Sequence, residues 1–284
     1  MKAIFRTIFL LTVFISCTSD NGSLQEIFDF PDSLSEVSAI ESTNGKTIWA
    51  LLDSGNPAEL HSLDLNGKIS HTLKIEAPNK DWEALASDEN RNLYIGDFGN
   101  NKNERKDLII YKVDATDLQK RSTSTSQKTA FFYPEQSQFP PKKPERFFDA
   151  EAFFYHNNAF YIFTKNRSSK FDGTTNLYKV PNMDGRHPAQ NMGYFAACDI
   201  YKQCAITAAD ISPDGKTVAL LTATKVYLFT NFQHDYFFSG DSKEIDLGHF
   251  SQKEGLCFLS NSEILIADEK DKRTGGKLYK LILD

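Results

Sequence analysis

Acids dominate the short phrases of this chain that could do chemistry. Five times an acid stands beside a small residue just ahead of an apolar run: Glu36-Val-Ser-Ala-Ile, Asp81-Trp-Glu83-Ala-Leu, Asp149-Ala-Glu151-Ala-Phe, Ala208-Ala-Asp210-Ile-Ser and Lys253-Glu254-Gly-Leu-Cys. Carboxylates brought to one place repel each other, and a bound cation or raised pKa values relieve the cost. Hard oxygen ligands suit calcium, which accepts many of them at flexible geometry. Calcium is therefore the expected cofactor, with Glu83, Glu151, Asp210 and Glu254 as its expected ligands. The six His of the chain are scattered away from these positions, so zinc and histidine chemistry are disfavoured. No nucleophile elbow, Cys/His pair or Gly-rich phosphate loop is present.

These acids need a frame that draws distant segments together. Copies of one unit at a period of roughly 45–65 residues indicate a repeat architecture. Runs of Ile, Val, Thr, Tyr and Phe, among 23 Phe and 11 Tyr, indicate strands. The first repeat divides into strands near 36–41, 46–53, 58–64 and 68–75, and the second near 82–87, 92–97, 107–113 and 129–133. The third gives 150–155, 158–164, 175–180 and 192–197, and the fourth 206–212, 216–222, 224–230 and 243–247. The fifth has only 254–259, 263–268 and 277–283. The spare strand at 24–30 would supply its missing edge and close the ring. The expected fold is all-β: a five-bladed β-propeller spanning 24–284, its last blade closed by the N-terminal strand. Six blades would require a hidden repeat in 114–148, where Ser/Thr at 122–126 and four Pro read as loop.

In such a ring the start of each first strand and the end of each second strand open on one face. That face would carry Glu36, Asp81, Glu83, Asp149, Glu151, Asp210 and Glu254. The second-strand ends would add Asp53, Asp97 with Asn100 and Asn101, Lys165, Asp268 and Glu269. Glu36, Asp53, Asp81, Asp97, Asn100, Asn101, Asp149, Lys165, Asp268 and Glu269 are the expected ligand-binding residues. The same acids can serve structure by accepting backbone hydrogen bonds from a neighbouring blade, and the Asp-x-Gly-Asn-Asn turn can satisfy its own backbone. Trp82 reads as core.

The chain begins differently. Lys2 and Arg6 precede an apolar stretch from Ile8 to Ile15 and the run Ser16-Cys17-Thr18, the pattern of an export signal too short to span a bilayer. A Cys directly after the small residue resembles the lipobox of bacterial lipoproteins. That resemblance implies a signal peptide over 1–16, lipidation of Cys17 and a tether over 17–23. The protein is then expected in the cell envelope, outside the cytoplasm, touching the membrane only through the lipid. The formal net charge of −6 becomes more acidic once Lys2 and Arg6 leave, which disfavours nucleic acid as a partner. Cys198 and Cys204, six apart in an exported chain, are the expected disulfide, and Cys257 a buried free thiol.

The phrases Asp81-Trp82-Glu83-Ala-Leu-Ala, Tyr94-Ile-Gly-Asp97-Phe-Gly-Asn100-Asn101, Ala150-Glu151-Ala, Thr207-Ala-Ala-Asp210-Ile-Ser-Pro-Asp214-Gly and Glu254-Gly-Leu resemble a group of exported bacterial propellers related to the SdiA-regulated and phytase-like esterase families. The resemblance covers most of the mature chain and implies an exported, metal-binding propeller. It implies no settled reaction. Three functional readings stay open: a calcium-carrying module that binds a small molecule, a metal-dependent hydrolase of phosphate esters or lactones, and a surface scaffold for a cell-surface protein partner. In the hydrolase reading Lys142, Lys143, Arg146, Lys165 and Arg167 would receive an anionic group.

Overall fold

The computed structural model describes residues 24–271 and 274–283. The leader, Cys17 and the tether lie outside the described residues.

Each repeat forms an antiparallel sheet that winds outward from the axis. Blade one runs Val37–Ser42, Ile48–Leu52, Glu59–Leu63 and Ile69–Ile75. Blade two runs Trp82–Ser87, Leu93–Asp97, Leu108–Val113 and Gln127–Phe132. Blade three runs Asp149–His156, Ala159–Lys165, Thr174–Pro181 and Gln190–Ala196, and blade four Ala208–Ile211, Val218–Leu221, Lys225–Thr230 and Asp241–Asp246. Blade five has Lys253–Ser260, Glu263–Asp268 and Lys277–Ile282, and its edge is completed by Gln25–Asp29, antiparallel to Lys277–Ile282. The inner strands touch in the order one, two, three, four, five and back to one, which closes the ring. The fold is the five-bladed propeller.

Burial follows from that winding. The second strands are buried on both faces, as in Ile48–Leu52 and Val218–Leu221. The outer strand Asp241–Asp246 is exposed at all but one position. Apolar side chains fill five clusters among the described residues, one between each pair of neighbouring blades. The aromatic excess goes there: Tyr94, Phe98, Phe131, Phe153 and Phe160 between blades two and three, Phe154, Tyr161, Phe163 and Phe237 between three and four. Wedge-shaped gaps between radiating sheets need bulky, rigid side chains, which also gain from edge-to-face contact. Trp82 is fully buried, with its indole N–H donating to the Pro78 carbonyl.

Two strands correct the expected layout. Ser122–Thr123, inside the stretch read as loop, pairs in parallel with the outer strand of blade one. Gly185–Pro188 pairs in parallel with the outer strand of blade two. In each case the excursion of one blade laces onto the edge of the blade before it, covering backbone that would otherwise be open.

Candidate functional site

A repeated irregularity positions the acids. Four inner strands shift register at their first turn, skipping Ser38, Glu83, Glu151 and Glu254 between paired neighbours. A residue skipped by the ladder is re-aimed relative to its neighbours. The three glutamates, with Thr207 from blade four, line a narrow axial channel whose wall also includes Ala39, Ala84, Ala152, Ala208 and Gly255. The small residue after each bulge lets the inner strands approach the axis. Gly99 shows how close this packing is: a Cβ there would stand 2.2 Å from Glu83 Oε1 and 2.5 Å from Asp81 Oδ2.

Asp210 does not belong to this set. It pairs with Ala219, further along its strand, and lines a cavity of about 390 Å³ at the opposite end of the axis with Glu41. There its oxygens accept the Ile211 and Phe258 amides, both at 2.7 Å. The position equivalent to Glu83 in blade four is Thr207, whose hydroxyl is buried without a partner. A signal for this lay in the phrase itself: in the other copies the small residue follows the bulge position, and Ala208 follows Thr207, whereas Ala209 precedes Asp210.

Two cations are built into the cluster. Lys165 Nζ donates to Glu151 Oε2 at 3.1 Å, and Arg167 Nη2 to Glu151 Oε1 at 2.6 Å. Arg167 Nε also donates to Asp149 Oδ2 at 2.5 Å, and its Nη1 to the Tyr201 hydroxyl. Tyr201 sits on the single turn Tyr201–Cys204, which the Cys198–Cys204 disulfide ties down. Burial alone would raise the Glu151 carboxyl, but Lys165 and Arg167 outweigh it and hold the group below its ordinary value. Burial and the neighbouring Glu151 push Asp149 the other way, well above the usual range. Lys165 loses from burial and gains more from Glu151, Glu254 and Glu83, so its ammonium stands among the three glutamates and stays charged.

Glu83 and Glu254 are different. Both are half-buried, and neither carboxyl accepts a hydrogen bond from a described residue. Burial raises Glu83 well above its ordinary value, with help from Glu151 and Asp81, and raises Glu254 to about 7. Around them stand more acids with raised carboxyls, though these have side-chain donors: Gln252 for Glu269, Asn56 for Asp53 and Ser54 for Asp81. Glu269 rises to about 8 through burial and the charges of Glu254 and Asp53. Asp81 rises through burial, and Asp53 through burial and Glu36. Exposed Glu36 shares the Asn56 amide with Asp53.

Other expected ligand residues hold the scaffold. Asp97 is fully buried and takes Arg105 at 2.9 Å and the Asp81 amide at 3.1 Å. Asn100 bridges blades two and three: its amide N–H donates to Asp149 and its side chain to the Phe148 carbonyl. Asp268 accepts the Lys277 amide and the Tyr279 hydroxyl. Asn101 is exposed. Lys142 and Lys143 are exposed on the entry loop to blade three, while Lys165 and Arg167 are engaged by acids. Sequence reasoning missed Arg105, Asn103 and Lys253. Lys253 is fully buried, donates to the Ala223 and His249 carbonyls and to Ser251 Oγ, and burial lowers its amine to about 8. Among the described residues no group of three or more His, Cys, Asp or Glu is spaced to hold a metal ion.

No family model matches the chain, and no curated protein matches it. Among solved structures, it is similar over 90% of its length to 69% of a catalytically inactive virginiamycin B lyase from Staphylococcus aureus bound to quinupristin, at 13% identity and a TM-score of 0.43. It is also similar, over 93% of its length and 98% of the other chain, to the PQQ-bound aldose sugar dehydrogenase from Streptomyces coelicolor, at 7% identity and a TM-score of 0.52. At that identity the second likeness shows the fold alone, and the fold it shows is the β-propeller.

Proposed function

We propose that the protein is a binding module whose axial mouth takes a cationic ligand between Glu83, Glu254, Glu269, Asp81 and Asp53. The observation that carries this reading is the pair Glu83 and Glu254, half-buried carboxyls that lack hydrogen-bond donors. A buried carboxylate without donors is costly, and a ligand that supplies positive charge and donors repays the cost on arrival. The cluster thus trades stability in the free protein for affinity in the bound one.

Calcium and a small organic amine share the chemistry this mouth would recognise. The glutamate ring itself fits calcium poorly, because Lys165 and Arg167 already occupy both oxygens of Glu151. The hydrolase reading draws no support from Lys165 and Arg167, which are committed to Asp149 and Glu151. Export and lipid anchoring through Cys17 complete the proposal and rest on the leader alone. Mass analysis of the mature N-terminus would test them, and an unmodified Cys17 or an uncleaved leader would rule the anchor out.

Calorimetric titration at pH 8 with calcium chloride and with putrescine tests the binding reading. Saturable heat with either ligand, lost in Glu254→Gln, supports it and identifies the cation class. Flat titrations with both overturn it.

A further inference from the structure

A second cavity, of about 230 Å³, opens on the outer part of blade two and shares no lining residue with the acidic mouth. It forms where the 134–139 loop folds over Gln127–Phe132 and where Gly185–Pro188 laces onto that strand. Its walls are aromatic: Phe132 and Phe139 are accessible, with the fully buried Phe131 and nearly buried Tyr133 behind them. An apolar cavity of about 150 Å³ is enough to take benzene. This one therefore has room for a single ring carrying a substituent.

The rim is cationic in an acidic protein. Arg186 Cζ lies 4.4 Å from the centre of the Phe132 ring, and Lys106 Nζ 4.6 Å from that of Phe139. Neither forms an ion pair with a described residue, whereas Arg105 on the same wall is spent on Asp97 and Asp107. Stacking on rings holds both charges at the opening with their donors free. Gln136 adds an acceptor. It is 7% exposed, and its Nε2 donates to the Asn103 and Gln138 carbonyls at 2.8 and 3.4 Å, which orients the amide and leaves Oε1 without a donor.

From these residues we infer that blade two carries a separate site for a small planar aromatic anion, such as an aryl carboxylate. The ring packs in the slot lined by Phe131, Phe132 and Phe139, the acid group pairs with Arg186 and Lys106, and Gln136 Oε1 receives any hydroxyl or N–H on the ring. A guanidinium stacked on an aromatic face beside a ring-sized slot is poorly used by an aliphatic or a cationic guest.

The test is ligand-observed NMR with calorimetry on the whole chain, using benzoate, benzyl alcohol and benzylamine as probes. Benzoate is expected to bind saturably and benzyl alcohol about tenfold more weakly, the difference a charge-assisted hydrogen bond makes. Benzylamine should not bind here. Arg186→Gln and Lys106→Gln each replace an exposed side chain, so the melting temperature should hold while benzoate affinity falls at least several-fold. Absence of saturable benzoate binding, equal binding of benzyl alcohol, or affinity unchanged in both variants would overturn the site. The outcome is independent of the calcium and putrescine titrations.

Discussion

Arg167 governs the acidic mouth at the residue scale. One guanidinium satisfies Asp149 and Glu151, both almost wholly buried, and also reaches Tyr201. Removing one partner of a buried ion pair leaves uncompensated charge and costs about 3–5 kcal/mol. Arg167→Ala is therefore expected to lower stability by that order in chemical denaturation, and Arg167→Lys to recover only part, since a lysine cannot serve two carboxylates in a fork. Glu83→Gln should act in the opposite sense. It removes a raised, unpartnered carboxyl and should stabilise the free protein by about 1 kcal/mol while weakening cation binding. A Glu83→Gln protein less stable than the parent would mean that the carboxylate already has a partner in solution. Residues of this kind were partly legible in the sequence. The acids stand out as repeats, but a one-dimensional phrase does not reveal which residue the ladder skips. That is why Asp210 was aligned with Glu83 although Thr207 occupies the place.

At the scale of elements, closure depends on a strand far from its partner in the chain. Gln25–Asp29 gives blade five its fourth strand, and Phe30 follows it into the cluster between blades five and one, 6% exposed. The incomplete fifth repeat made this pairing readable, because an open edge in a ring must be filled. The two lacing strands were not readable. They are short, pair at a sheet edge, and have no apolar alternation to announce them. Phe30→Ala should cost about 3–5 kcal/mol, the usual penalty for emptying a buried phenylalanine site. Loss of residues 24–30 should do more, since it bares the edge of Lys277–Ile282 to pairing with another copy. Size-exclusion chromatography should show higher oligomers for the truncated chain. A truncated chain that stays monomeric with parent-like melting would show that the ring does not need this strand.

Viewed as a whole molecule, the propeller has an acidic group at each end of its axis, and the two should give stability one pH dependence. At the acidic mouth Glu254 is raised to about 7 and Glu269 to about 8, against 4.5 for a free glutamate. At the opposite end burial raises Asp210 to about 7, and burial with the Asp210 charge raises Glu41 well above its ordinary value. An acid raised on folding binds its proton in the native state after the unfolded chain has released it. Its contribution is thus fully present below the unfolded value and is lost as pH climbs through the folded one. Glu151, held down by Lys165 and Arg167, contributes in the reverse sense, and its share is lost only in acid. The melting temperature without ligand should therefore fall as pH rises from about 5 to about 8.5, the window those values set. Glu254→Gln and Glu269→Gln should flatten the fall at one end of the axis, and Asp210→Asn at the other. A cation bound in the mouth should flatten only the first part, because it replaces the protons those carboxyls release. Glu254→Gln and Asp210→Asn combined with the ligand then separate the two faces in a single series of melts. A melting temperature that climbs across the window would mean that these carboxyls are ionised in the native ring, and the cationic reading would lose its physical basis.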